Sequence, residues 1–392
     1  MTNLPIIAVL FLDFGPYHVA RIDALATAAS KIGGTVIGVR FQEKSATYSW
    51  LPCEPRVAES HTLLPGSGRV RTGAVVMAWL RFLKRARVDI AFLPSYWPLA
   101  NALCLIAARL VGVRCFMMNE SWAATEKARV LGRFVKRMFL RLFDGALVGG
   151  SRQKEHFVSL GVPGGRIATG YDVVDNAFFA AGSDTVRAAG VRPPGLPGRY
   201  ILNVGRMVPK KNLGILIEAY ALLARENPGL THSLVLVGDG PCRDALIKQA
   251  RDAGLPVFER GPENAADGPP SAPSVVIFPF AQLDDLPGFY AFASVFVLPS
   301  TAEEWGLVVN EAMASGLPVV VTRNAGCVPE LVVENVNGFT FDPANAAQLS
   351  EILSRFTGSP EVEKLMGAAS QKIIRQYGPD RFAAEALKLI AL

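Results

Sequence analysis

Residues 293–329 read ASVFVLPSTAEEWGLVVNEAMASGLPVVVTRNAGCVP. The apolar run Val295 to Leu298 has the length and β-branched content of a fully buried strand, and Pro299 stops it. A polar loop, Ser300 to Glu304, precedes a helix expected from about Gly306 to Ser315. Gly316, Leu317 and Pro318 close that helix, and Val319 to Thr322 form the next strand. The stretch is therefore a βαβ unit whose polar residues sit on the loop leaving a strand. Glu303 lies in that loop and Glu311 on the helix, with seven residues between them. Two helical turns span about 11 Å, so the pair cannot act on one atom but can grip two ends of an extended ligand. Taken singly, Glu311 reads as a solvated helix residue and Glu303 as an acid near a helix start.

Working outward, the strand Tyr200 to Val204 runs into Gly205-Arg206-Met207-Val208-Pro209-Lys210-Lys211-Asn212. This loop, led by Gly205, presents Arg206 and Lys211 just before a helix N-terminus. Fixed cations and free backbone N–H groups there suit a diphosphate. Val275 to Phe278 is a further strand, followed by Pro279-Phe280. Asp284-Asp285 reads as helix N-capping in preference to a metal site, and no convincing Asp-x-Asp occurs. Upstream, residues 181–199, with the run Pro193 to Gly198, form the best linker. The first half also alternates strands (Ile6–Leu12, Thr35–Val39, Ile90–Leu93, Val113–Met118, Ala146–Val148) with helices. Residues 41–70 read as irregular. Gly15 stands in the turn before the first helix, where it would let the backbone approach a phosphate, and His18 lies beside it. A last helix is expected from Asp380 to Ile390.

Half of the 392 residues are apolar and 19% are charged, so large cores are available and disorder is disfavoured. The five cysteines form no C-x-x-C pair and the four histidines show no ligand spacing, which fits reduced thiols and no zinc. The longest uncharged run, residues 90–108, is broken by Pro94, Ser95, Pro98 and Asn101, so it is not the continuous apolar stretch that spanning a bilayer demands. The chain is expected to be cytoplasmic. Residues 1–180 hold 22 Lys and Arg against 12 Asp and Glu, and the remainder 18 against 22. A basic first half points to a polyanionic partner, membrane surface or nucleic acid. On a helix from Lys127 to Phe143, Arg129, Arg133, Lys136, Arg137 and Arg141 fall within an arc of about 140°. Phe134, Val135, Met138, Phe139 and Leu142 lie on the other side. A surface helix that simply buries its apolar face has the same pattern. A cationic stripe on a basic domain would alternatively dock the protein on an anionic inner leaflet.

Glu-x7-Glu with Trp-Gly-Leu after the first acid, then Glu-Ala-Met-Ala-Ser-Gly-Leu-Pro-Val-Val, resembles the signature of retaining family-four glycosyltransferases (glycosyltransferase group 1) of the GT-B fold. The specific motifs occupy residues 203–330, and the first half matches only in architecture. The resemblance implies an α/β chain of two Rossmann-like doubly wound domains facing a central cleft. They would span residues 1–190 on the acceptor side and 191–378 on the nucleotide-sugar side, with the helix at 379–392 crossing back to the first. It implies sugar transfer, with retention, from a UDP or GDP sugar to an acceptor hydroxyl, without metal or other cofactor. Arg206 and Lys211 would stabilise the leaving diphosphate, and Glu303 would hold hydroxyls of the transferred sugar. The backbone of Trp305, Gly306 and Leu307 would assist, Glu311 would bind the ribose and Phe280 would meet the base. Similar enzymes carry a histidine near the donor sugar where this chain has Asn119 and Glu120; with His18 these are acceptor-side candidates. A lipid-linked saccharide of cell-envelope or exopolysaccharide synthesis fits as acceptor, and nucleic acid does not, since donor motifs account for the cleft. Rival readings are a catalytically silent nucleotide-sugar binder and a nucleotide-sugar epimerase or phosphorylase.

Overall fold

Short apolar runs bounded by Gly and Pro become parallel strands throughout, because a strand covered by helices on both faces buries side chains of both parities. The computed structural model describes residues 5–43, 50–65, 71–126, 130–261, 268 and 270–391. One sheet contains β1 (Ile6–Phe11), β2 (Thr35–Arg40), β3 (Glu59–Thr62), β4 (Ile90–Leu93), β5 (Arg114–Asn119), β6 (Gly145–Val148) and β7 (Ile167–Thr169). Its spatial order is β3-β2-β1-β4-β5-β6-β7. The other contains β8 (Tyr200–Val204), β9 (Ser233–Val237), β10 (Val257–Glu259), β11 (Val275–Phe278), β12 (Val295–Leu298), β13 (Val319–Thr322) and β14 (Gly338–Phe341). Its order is β10-β11-β9-β8-β12-β13-β14. All the strand pairings are parallel.

The first unit carries α1 (Pro16–Ser30), α2 (Thr72–Ala86), α3 (Leu99–Leu110), α4 (Val130–Leu140) and α5 (Ser151–Ser159). The second carries α6 (Asn176–Ala189), α7 (Leu213–Glu226), α8 (Arg243–Asp252), α9 (Leu286–Tyr290), α10 (Leu307–Ala314), α11 (Val328–Leu331), α12 (Ala346–Thr357) and α13 (Pro360–Ile374). The chain ends with α14 (Pro379–Ile390). The units are Met1–Asp175 with Tyr377–Leu392, and Asn176–Gln376. The break thus falls at the start of α6, one helix before the boundary expected at residues 190 and 191. The reason is packing. Ser183 Oγ donates to Pro287 O (3.3 Å), Arg187 Nε donates to Ala291 O (2.8 Å), and Phe179 meets Tyr290 edge-on at 6.0 Å.

Three short strands escape a reading by apolar runs. β3 is polar and mostly exposed, and is held at the sheet edge by backbone pairing with β2, by Arg40 Nε donating to Thr62 Oγ1 (2.9 Å) and by His61 stacked on Phe82. β7 and β10 are three residues each. The last helix, α14, lies in the first unit, where Phe382 and Ala386 are fully buried with Ile22 and Leu25 of α1. Its apolar positions 382, 386 and 389 share one helical stripe, so one face is committed to this core. Phe382→Leu is expected to cost roughly 1 kcal/mol and lower the first unit's melting midpoint by a few degrees, read by calorimetry. An unchanged midpoint would mean that α14 is not part of that core.

Order reversal creates a switch point in each sheet, and ligands of open α/β sheets bind beyond the strand carboxyl ends there. In the first unit the reversal lies between β1 and β4. In the second it lies between β8 and β12.

Candidate active site

β8 and β12 are adjacent and fully buried, so their outgoing loops emerge side by side. The β8 loop carries Gly205 and Arg206 and then a tight turn, Pro209–Lys211. Asn212 closes that turn in the left-handed region (φ 54°). Its side-chain amide donates to Pro299 O (3.1 Å) and Pro343 O (2.9 Å), tying the turn to the β12 loop. Thr301 N–H adds a second tie to Lys210 O (2.9 Å). The sequence motifs 90 residues apart are thus one structural piece before any side-chain charge is counted.

Within it, Lys211 Nζ lies 2.5 Å from Glu303 Oε2, and Ser300 Oγ donates to the same oxygen at 3.0 Å. Lys210 Nζ lies 3.4 Å from Glu303 Oε1 and 2.6 Å from Glu304 Oε2. Glu303 is only 7% exposed, and its backbone is fixed: its N–H donates to Asn324 O (3.1 Å) and its carbonyl accepts from Gly326 N–H (3.0 Å). Burial alone would raise the Glu303 carboxyl's pKa, but Lys211 and Lys210 outweigh it and hold the acid below the usual carboxylate range. Against its own burial, Lys210 is raised by Glu303 and Glu304. Arg206, earlier in the same loop, is exposed.

The helix after the loop begins where the sequence placed it. Gly306 caps α10 at φ 103°, and a Cβ there would come within 2.8 Å of Leu298 Cδ2, so both backbone and space demand glycine. Trp305 is completely buried and donates through Nε1 to Asn310 Oδ1 (2.9 Å). Its ring is structural, which leaves its backbone, with that of Gly306 and Leu307, as the part able to face a ligand. Glu311, one α10 turn after Leu307, is 1% exposed and accepts from Tyr290 OH at 2.8 Å. Phe280 is partly buried just past β11. Asp285 stands at the N-cap of α9 but makes no side-chain capping bond there, contrary to the reading from sequence.

The first unit's candidates sit at the ends of β1 and β5. Gly15 caps α1 in ordinary extended geometry, and its N–H donates to His18 Nδ1 (3.1 Å). That amide is not available to an incoming phosphate unless the ring moves. His18 stacks on Phe11 at 4.1 Å, and burial, then Arg21, push its pKa down to about 3, so it is neutral across the physiological range. Asn119 Oδ1 accepts from Ser121 N–H (2.7 Å), bracing its own turn, while Glu120 is exposed. Of the basic stripe, Arg129 lies outside the described residues. Arg133 and Lys136 both bond Glu126 (3.2 and 2.7 Å), and Arg137 donates to Ser159 O (3.3 Å). Arg141 is exposed. Phe134, Val135 and Met138 do not turn inward: they are 62%, 45% and 55% exposed.

Reading by sequence passed over Lys210 and Ser300, both in contact with Glu303. Their signals are adjacency to Lys211 and position three residues before Glu303 in the polar loop.

Residues 198–358 match the family described as glycosyl transferases group 1. The chain is 31% identical over 217 residues to a D-inositol 3-phosphate glycosyltransferase of Streptomyces griseus, covering 53% of this chain and 44% of that protein. It is 28% identical over 193 residues to a GDP-mannose-dependent alpha-(1-6)-phosphatidylinositol monomannoside mannosyltransferase of Mycobacterium tuberculosis, covering 47% and 45%. It thus spans less than half the length of these relatives. Among solved structures, Anabaena Alr3699/HepE in complex with UDP and glucose superposes over 99% of this chain and 100% of that one, with TM-score 0.71 and 17% identity. The second unit thus carries the match to the group 1 glycosyl transferases, and the two seven-stranded parallel sheets, with the solved structures, show the GT-B fold.

Proposed function

We propose that the chain is a glycosyltransferase that moves a sugar from a nucleoside diphosphate (UDP or GDP) to an acceptor hydroxyl, with retention at the anomeric carbon and without a metal. The observation that carries this reading is the convergence of Lys210, Lys211 and Glu303 at the switch point between β8 and β12, with Arg206 in the same β8 loop. In the transfer, the bond from the anomeric carbon to the diphosphate oxygen breaks and one to the acceptor oxygen forms. Negative charge grows on the diphosphate, where Arg206 and Lys211 stabilise it. No carboxylate is assigned as a nucleophile; the leaving phosphate takes the acceptor proton. Glu303 orients sugar hydroxyls, Glu311 serves the ribose and Phe280 borders the base. His18, Asn119 and Glu120 lie on the acceptor side. The test is incubation with radiolabelled UDP and GDP sugars and acceptor-loaded membranes. Labelled acceptor is the expected product; free epimer, sugar phosphate or no turnover would overturn the reading.

A lipid-linked saccharide is the proposed acceptor, reached from the inner leaflet through α4. Among the described residues no helix is long and apolar enough to cross a membrane, so contact would be peripheral. The relative named for phosphatidylinositol monomannoside is in keeping with such an acceptor.

The two carboxylates are expected to separate by calorimetry with the free nucleoside diphosphate. Glu311→Gln should weaken its binding about tenfold, the worth of one charge-assisted hydrogen bond. Glu303→Gln should not weaken it and should impair transfer instead. Equal losses of diphosphate affinity in both variants would contradict this division of the donor.

A further inference from the structure

We propose that Glu303 holds the diphosphate's place in the ligand-free site and that Lys210, with Lys211, exchanges this carboxylate for the diphosphate when donor arrives. The proposal rests on the donor-site reading above and adds two things to it: Lys210 as a further phosphate-binding cation, and an order of events.

The geometry is that of an anion already bound. Two ammonium groups converge on one carboxylate, Lys211 on Oε2 at 2.5 Å and Lys210 on Oε1 at 3.4 Å, while Ser300 caps Oε2. A carboxylate offering two oxygens to two cations imitates one face of a phosphoryl group. As long as it does so, the lysines' field is largely cancelled, and Glu303 itself has few lone pairs left for sugar hydroxyls. Either the lysines or the acid must let go. The acid is held, because its backbone is bonded on both sides to 324–326 and its side chain is 9% exposed. Lys210 is 42% exposed at its side chain and sits on a flexible four-carbon stem, so it can swing without disturbing the loop. Glu304, 2.6 Å from Lys210, keeps that stem near the site in the interval.

The exchange has a consequence for selectivity. Glu303 becomes a free acceptor for sugar hydroxyls only once a diphosphate has drawn the lysines away. A free sugar finds the carboxylate neutralised, and a nucleoside diphosphate sugar finds it released. Recognition of the two halves of the donor is thereby coupled, with positive sign.

Titration calorimetry with inorganic pyrophosphate, UDP and GDP tests this on the full chain and four variants. Glu303→Gln removes the competing charge at nearly constant volume and is expected to tighten pyrophosphate about tenfold. Lys210→Met is expected to weaken it by a similar factor, and at a half-exposed position it tests the idea even if a buried Gln disturbs folding. In the double variant the gain from Glu303→Gln should shrink, since one of the two released cations is missing. If the wild-type chain binds none of the three ligands, the donor-site reading itself fails. If it binds them and Lys211→Ala weakens them, but Glu303→Gln leaves affinity unchanged or lower, the exchange is overturned while the donor site stands. Unchanged affinity in Lys210→Met would remove Lys210 from the phosphate site.

Discussion

Replacing Lys211 or Arg206 with Ala is expected to lower turnover by about 10²–10³, the usual loss for one preorganised charge stabiliser at a site of developing charge. The two positions should differ in what else they change. Lys211 is bonded to a carboxylate that is 7% exposed, so its removal also takes one of the cations away from the buried Glu303 charge. Glu303 would then lose part of what holds its pKa low, and the Lys211→Ala variant should show a smaller acid-side dependence of stability than wild type. The sign follows from linkage. A carboxyl depressed in the folded state contributes stability above its unfolded pKa and loses it as pH falls through the folded value. Weakening the depression removes stability at neutral pH and moves the remaining loss to higher pH. Arg206 is exposed, so Arg206→Ala should change the pH profile of stability less than Lys211→Ala does. Steady-state kinetics with the accepted donor, together with melting curves between pH 4 and 8, read both effects. Near-normal turnover in both variants would sink the assignment of the leaving-group site.

The centre of this site was legible in sequence because it lies on central strands. β12 and β13 occupy the bounds read from Val295–Leu298 and Val319–Thr322, and Gly306 opens α10. Buried parallel strands are dense apolar runs, and a helix between two of them has little freedom in where it starts. Edges were not legible. Glu59–Thr62 has no apolar run, since β3 pairs with one strand and its contacts are polar or aromatic, Thr62 with Arg40 and His61 with Phe82. Side-chain partners across long separations were not legible either. Lys210 and Lys211 were readable as adjacent cations, but the bonds to Glu304 and Glu303 arise from loop stapling by Asn212 and Thr301. The same limit explains α4: periodicity separates its cationic and apolar positions, but only the tertiary structure tells which of them the rest of the unit covers.

That helix carries the other large expected effect. On α4, Arg133, Arg137 and Phe134, Met138 and Val135 are all exposed, and Arg141 follows just past the helix end. At 100° per residue they form one outward face about 200° wide, cationic on one half and apolar on the other. Leu140, by contrast, is buried. An exposed face of this composition is what an interfacial helix needs, apolar groups to enter the acyl boundary and cations for anionic headgroups. Arg133 and Lys136 are committed to Glu126, whose side chain is only 5% exposed, so reversing their charge would disturb the unit's own structure and test nothing about lipid. Arg137 and Arg141 are the better probes. Each exposed cation near an anionic surface contributes about 1 kcal/mol, within a Debye length, so Arg137→Gln with Arg141→Gln should lower partitioning about 30-fold. Phe134→Ser with Met138→Ser removes apolar groups worth roughly 1.5–3 kcal/mol each when fully buried, an expected loss of about 10²–10⁴. Cosedimentation with vesicles of anionic and of neutral lipid, at low and high salt, separates the halves. The arginine pair should lose the lipid-charge and salt dependence, whereas the serine pair should weaken binding at every salt concentration. Partitioning that ignores lipid charge and survives both pairs of substitutions would show that α4 does not carry the chain to the membrane.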